Sequence, residues 1–291
     1  MSWTLSAFAD EAAASCEAQI IALQRAGLSR LDLRSIEGHN VSALPLDVAR
    51  EVRDRLDETG ISVQMLGSPL GKIDIADDFE AELQKLRHLG ALAPILGCGA
   101  IRIFSYFNAR GALHSQWMET SLSRLERLRA EAKNLGLVLY HENERHIFGE
   151  MTENVSHVAA LRDANFQLIF DFDNYNQAGE DVWQAWQKLA SVTDAFHLKD
   201  STRATQNAPA QHVPAGQGNG QIAAILGDAL AHTWSGPVSV EPHLTHSGAV
   251  AATGPCGAQN SVFSAMAPAE SFHLALEAAK TVLAGVGANW N

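Results

Sequence analysis

Four acidic or imidazole side chains each close a short apolar run. "LVLYHE" ends at Glu142, "FQLIFD" at Asp171, "DAFHLKD" carries His197, and "PVSVE" ends at Glu241. The runs have the length and residue types of buried strands. Charge at such positions is costly unless something pairs with it. Three carboxylates gathered without a cation would repel one another and lose hydration as well. A hard divalent ion resolves both problems. Mostly oxygen donors with one nitrogen suit Mn2+ first, with Mg2+, Co2+ or Zn2+ as alternatives, better than a closed zinc site. Taken singly, an Asp or Glu at a strand end is more often a helix cap, and a His in an apolar strand a satisfied core residue. The four together, at the tips of consecutive strands, read as one metal site.

Such a site needs elements that aim four strands the same way. Short β-type runs alternate with helical patterns along the whole chain. The strands are expected to end near Ala9, Arg34, Gly67, Ser105, Glu142, Asp171, Lys199 and Glu241. Between them lie segments such as "CEAQIIALQRAG", "LDVAREVRDRLDETG", "FEAELQKLRHLG", "TSLSRLERLRAEAKNLG" and "DVWQAWQKLA", with Gly27, Gly60, Gly90 and Gly136 as helix stops. Strand–helix alternation at this length predicts an α/β fold, a single (β/α)8 TIM barrel over residues 1–291. An open doubly wound sheet would usually carry a Gly-rich phosphate turn after its first strand. Here that place holds "FADEAAAS". Two long loops, residues 200–221 and 246–268, follow late strands on the face where a barrel keeps its active site, and read as lids or solvated insertions.

Further polar residues fall where the barrel mouth should be. Asp32 and Arg34 alternate with Leu31 and Leu33, which turns both polar groups to the lumen. Asp32 and Arg102 are expected to pair below the metal. Arg34, Ser105, Lys199 and His243 are candidate substrate contacts, Lys199 with an ordinary ion pair as its alternative. Glu144 and Arg145 are expected to brace the site, and His141 to face the helices as a packing residue. The glycines of "PAGQGNG" allow either a phosphate cradle or a tight turn.

Composition narrows the partners. A net charge of −12 argues against nucleic acid, whose phosphates need a basic face. Three scattered cysteines fit neither a disulfide framework nor a zinc knuckle, and point to a reduced, cytoplasmic protein. No run is long enough to span a bilayer, and the N-terminus does not read as a signal peptide.

"YHENERHIFGE", "FDFDNYNQAG", "FHLKD", "HVPAGQGNGQ" and "VSVEPHL", with "LDLRSIEGHNV", "GSPLGKI" and "IRIFSYF", together resemble the xylose-isomerase-like barrel superfamily, in particular its sugar phosphate isomerases/epimerases. The resemblance covers essentially the whole chain. It implies one divalent ion held by Glu142, Asp171, His197 and Glu241. It also implies a sugar or keto-sugar substrate, worked by proton transfer through a cis-enediolate at the metal, with Glu142 and Glu241 as the acid–base pair. Two departures stand out. Gln217 and Asn219 replace acidic residues usual in the loop "VPAGEGDGQ", and Asn174 stands where related ketose epimerases carry a substrate-contacting His. The same site also suits a lyase that dehydrates or decarboxylates a 3-keto sugar or sugar acid. An abasic-site endonuclease fits poorly, since it would need more His ligands and a basic face. A metal-free binding protein fits poorly with an intact ligand set. By analogy a homo-oligomer is expected, with "NSVFSAMAP" and "GANWN" as interface or lid.

Overall fold

The computed structural model describes residues 2–245 and 261–291. Eight parallel strands form the sheet: β1 (Ser2–Ala7), β2 (Arg30–Leu33), β3 (Ser62–Leu66), β4 (Ala100–Ile103), β5 (Val138–Glu142), β6 (Phe166–Asp171), β7 (Ala195–Leu198) and β8 (Pro237–Val240). Each pairs with its neighbour in sequence, and β8 pairs back onto β1 with Ser239 beside Ser6, closing the barrel. The expected (β/α)8 architecture is what forms, and every expected strand end lies within two residues of the observed one.

Helices α1 (Cys16–Arg25), α2 (Leu46–Thr59), α3 (Phe79–Leu96), α4 (His114–Asn134), α5 (Thr152–Ala159), α6 (Val182–Leu189), α7 (Ile222–Ala231) and α8 (Pro268–Gly285) wrap the sheet. The sequence dictates them locally. In α2, Ala49, Val52 and Leu56 recur on one face and are buried, while Gly60 ends the helix at φ 68°. Gly adopts that left-handed geometry without a Cβ penalty. Gly27 and Gly136 also sit at positive φ just past their helices. Gly90 does not stop a helix. α3 runs through it to Leu96 and stops at Gly97, φ 67°. The apolar "ALAPIL" beyond Gly90 keeps burying Leu92, Ala93 and Leu96. A Cβ on Gly90 would lie 3.1 Å from Leu135, so the glycine there serves close packing.

The main core lies between strands and helices, with Leu31, Leu33, Ile101, Ile103 and Leu139 pointing outward from the sheet. The lumen is different. Met65, Ile169 and Ala195, flanked by Ala100 and Tyr140, form a separate apolar plug low in the barrel. Two residues further along their strands come Arg102, Glu142, Asp171 and His197, all buried. Strand parity thus stacks an apolar floor beneath a charged layer.

Other expectations shift. "GANWN" forms a short strand, Asn289–Trp290, beside Ser2–Trp3 at the start of β1, the end of the barrel opposite the ligands, so it is no lid. The loop over 246–268 lies outside the described residues as far as residue 260. No helix among the described residues is long and apolar enough to cross a membrane.

Candidate metal centre

Glu142, Asp171, His197 and Glu241 converge: one ligand atom from each lies within 4.8 Å of the others, and all four residues are buried. Asp171 and His197 are register partners across β6 and β7, and Ser239, two before Glu241, is the partner of His197. His197 Nδ1 faces both glutamates, 3.0 Å from Glu142 Oε1 and 3.5 Å from Glu241 Oε2. Glu142 Oε2, Asp171 Oδ2 and His197 Nε2 are buried without an aligned hydrogen bond. Buried polar atoms are rarely left so. Three orphaned atoms and an oxygen-rich donor set fit a divalent cation.

Fixed positive charges hold this cluster in its metal-free form. Arg102 Nη1 is 3.2 Å from both Glu142 and Glu241. Lys199 Nζ is 3.2 Å from Asp171 Oδ2. Burial alone would push the Glu142 carboxyl up, but His197 and Arg102 more than offset it and hold it at about 2. Glu241 is likewise held well below the usual carboxylate range, burial being outweighed by Arg102, His197, His243 and Lys199. Asp171 goes the other way. Its burial, with Glu142, Asp173 and Glu241 nearby, outweighs Lys199 and raises it well above the ordinary value. Burial opposes the His197 charge, yet Glu142 and Glu241 lift it to about 10. The two glutamates thus favour the protonated imidazole.

The frame explains the positions. Asp171 caps the short helix Phe172–Gln177, its Oδ1 accepting the Asn174 N–H at 2.7 Å, which leaves Oδ2 for the site. Asn143 grips the Asp171 backbone from both sides: its side-chain amide donates to the Asp171 carbonyl, 3.0 Å, and its oxygen accepts the Asp171 N–H, 2.8 Å. Phe8 stands edge-on to His197, ring centroids 5.4 Å apart, with Arg34 and Arg102 over its face at 5.0 and 4.9 Å. Gly67 makes room for that ring, since a Cβ there would lie 2.6 Å from it.

The expected substrate contacts divide. Arg34 does reach the lumen but is fully enclosed: it bonds Asp10 twice at 2.8 Å, Glu11 at 3.3 Å and Glu241 at 2.7 Å. It braces a ligand and has no edge left for substrate. Ser105 points out of the lumen, its Oγ accepting the Gly149 N–H at 2.7 Å. Parity decides this, because Ser105 lies an odd number of residues from Arg102. Asn174 donates to the Asn143 carbonyl, 2.8 Å, and is buried. Lys199 takes the ion-pair alternative with Asp171. His243 is half-buried at φ 49°, its Nε2 3.4 Å from Glu241, and burial lowers its pKa to about 4. Of the five, it is the one least enclosed.

Asp32 and Arg102 do not pair. Asp32 Oδ2 accepts from Ser6 Oγ at 2.6 Å, while Arg102 reaches up to the glutamates. A register shift between Leu31 and Asp32 and the nearby serines of β1 and β8 account for it. Glu144 bonds Lys72 at 2.8 Å and Arg145 bonds Gln177 at 2.8 Å, bracing the rim. His141 is buried against the turn at Gly149, away from the ligands; burial lowers its pKa to about 4, and both ring nitrogens lack an aligned partner.

The glycine loop resolves into a cradle with an occupant from the same chain. Asp200 Oδ2 accepts the N–H groups of Gly216, 2.9 Å, and Gly218, 2.8 Å; Oδ1 accepts those of Gly220, 2.9 Å, and Ser201, 3.0 Å. Phosphate has no place there. A Cβ on Gly218 would run into the Asp200 carboxylate and the Ser201 carbonyl. The loop departures lie at the surface: Gln217 and Asn219 are exposed, and Asn219 merely accepts the Arg203 N–H at 2.9 Å.

Four participants escaped the sequence reading. Asp10 and Glu11 follow β1 in "FADE" and become neighbours of Glu241 only when β8 closes on β1. Glu11, Glu241 and His243 also bring ligand atoms within 4.8 Å, but Arg34 already supplies their positive charge. Asn143, directly after Glu142, and His212, on the loop after β7, are the other two.

The model of the xylose isomerase-like TIM barrel family matches residues 12–258. The chain belongs to that family. A search of curated proteins gave no match. Among solved structures, the E. coli 3-keto-D-glucoside 4-epimerase YcjR is similar at TM-score 0.67 and 15% identity, over 96% of this chain and 100% of that one. The probable 3-DHS dehydratase AsbF of Bacillus anthracis is similar at 0.71 and 14%, over 96% and 99%. The IolI protein with a bound zinc is similar at 0.73 and 13%, over 97% and 99%. At these identities the likeness speaks for the barrel.

Proposed function

We propose that the protein is a divalent-metal-dependent isomerase or epimerase of a sugar or keto-sugar, with Glu142 and Glu241 as its acid–base pair and Asp171 and His197 as ligands alone. The observation that carries this reading is the buried convergence of the four side chains, three of whose polar atoms lack an aligned hydrogen bond. A bound Mn2+, or Mg2+, Co2+ or Zn2+ in its place, would polarise the oxygens of an α-hydroxyketone and so acidify the adjacent C–H.

The residues divide the work. One glutamate takes the proton from that carbon, and the electron pair moves onto the neighbouring carbonyl to give an enediolate. The other glutamate returns a proton, to the opposite face for epimerisation or to the adjacent carbon for isomerisation. Their surroundings differ. Glu241 carries Arg34 at 2.7 Å and Arg102 at 3.2 Å, while Glu142 carries Arg102 alone among the arginines. With His197 neutral, Glu142 is therefore the stronger base of the two. The residues act as one coupled set.

A lyase shares the first proton abstraction and differs in what leaves next. The barrel likeness to both an epimerase and a dehydratase keeps that reading second. The partner in either case is a small sugar-derived molecule; a homo-oligomer and a cytoplasmic location go with the same reading.

The test begins with elemental analysis of protein purified without chelator or metal resin. About one equivalent of metal is expected from a single four-ligand site, lost in a Glu142→Gln, His197→Ala double variant. A ketose panel in deuterated water then separates the outcomes: solvent deuterium in a retained carbon means isomerase or epimerase, and loss of water or CO2 means lyase. A protein that takes up no metal after soaking in Mn2+ would sink the mechanism.

A further inference from the structure

The loop after β7 folds back as a hairpin, Asp200–Thr202 against Gln211–Val213, with Ser201 directly opposite His212. Opposed residues in an antiparallel pair share a face. Both side chains meet Asp173: Ser201 Oγ donates to its Oδ1, and His212 Nδ1 lies 3.2 Å from its Oδ2. Asp173 sits two residues past the ligand Asp171 and is fully buried, and Gln177 Nε2 also donates to it. On its other side the His212 ring stands perpendicular to His243, centroids 5.7 Å apart, and His243 in turn lies 3.4 Å from Glu241. A histidine carried by a hairpin outside the barrel is thus only 3% exposed, between Asp173 and His243.

The Asp173 carboxylate does not require that histidine, since Ser201 and Gln177 already donate to both of its oxygens. Nδ1 lies against Asp173 Oδ2 without an aligned hydrogen bond, and Nε2, on the other side of the ring, has no protein hydrogen bond among the described residues. From these positions we infer that His212 is a substrate-contacting residue, and that Asp173 is its positioning residue. Nε2 hydrogen-bonds a hydroxyl or carbonyl oxygen of the bound sugar. The Asp200 cradle pins the far end of the hairpin and keeps His212 in place. The assignment rests on the sugar reading above for its ligand class.

Three variants separate a substrate contact from a mere hairpin latch. Gln mimics Nε2, Asn mimics Nδ1, and Ala removes both. On metal-loaded protein, His212→Ala should raise KM or lower kcat for the accepted ketose by about 10-fold, the effect of one lost hydrogen bond in an enclosed site. Metal content should stay at the wild-type level. His212→Gln should recover part of the loss and His212→Asn should not. Asp173→Asn should mimic His212→Ala, and the double variant should be no worse than either alone. Affinity for a non-reacting polyol, xylitol, is measured in the same variants, so failed turnover in the wild type would count against the sugar reading while xylitol binding still decides His212. Wild-type kinetics and xylitol affinity in all three variants would overturn the assignment. So would full recovery by Asn alone, which marks a latch, or loss of metal in His212→Ala, which marks a ligand.

Discussion

Two buried groups of carboxylate sit within one loop of each other and are satisfied in opposite ways. Asp200 accepts four backbone N–H groups from its own chain, and nothing is left over. Glu142, Asp171 and Glu241 meet mainly side-chain cations, and Glu142 Oε2 and Asp171 Oδ2 have ion-pair neighbours but no aligned hydrogen bond. The saturated carboxylate is architecture. The unsaturated group has capacity for something the chain does not contain. Each of these carboxylates stands at or just past the end of a barrel strand, so strand position does not separate them; the count of satisfied oxygens does.

The largest test of that contrast is Glu142→Gln. It keeps the shape and removes the base, so proton exchange between substrate and solvent should fall by about 10^3-fold. Deuterium incorporation measured by NMR reads it, with circular dichroism unchanged. Asp200→Ala should do the reverse. Four N–H groups lose their acceptor, two of them buried, at a cost of about 3 kcal/mol in urea unfolding. The folded fraction should still take up its full complement of metal. If Asp200→Ala removed the metal and left stability alone, the contrast would be wrong.

A pH series sharpens it next. His197 is raised to about 10 when folded and metal-free, above its unfolded value near 6.5. Its contribution to metal-free stability is therefore fully present below about 6.5 and lost as pH rises through about 10. A bound ion needs a neutral imidazole, so loading must expel that proton, and affinity should climb with pH over the same window. The gap in Tm between loaded and metal-free protein should widen from pH 6 to 10. A gap that narrowed would mean His197 is neutral without metal. The smallest effect is expected from Gln217→Glu with Asn219→Asp. Both positions are exposed, so stability should move by no more than about 0.5 kcal/mol and metal content not at all.

The strands and the convergence of the four side chains were legible because their signals are local. Period-two alternation fixed which side chains enter the lumen, and charge at the end of an apolar run marked Glu142, Asp171, His197 and Glu241. What stayed hidden depends on closure. Arg34 looked like a free cation until β8 brought Glu241 beside it and "ADE" after β1 supplied Asp10 and Glu11. Ser105 was misjudged by one residue of parity. Gly90 carried the same local signal as Gly60, and only the apolar stretch after it told the two apart. His212 lay in view within "QHVPAGQG", but its value comes from a hairpin whose register no periodicity reveals.

Arg34, just past the second strand, links residues that follow the first and last strands, bonding Asp10, Glu11 and Glu241 at once. During synthesis on the ribosome, Asp10, Glu11 and Arg34 therefore emerge long before the glutamate that completes their circuit. A nascent chain halted before β8 carries three of the four ligands and an arginine with one partner short. All four side chains of the cluster come together only when β8 closes the barrel, so a cation held as proposed would report a closed barrel.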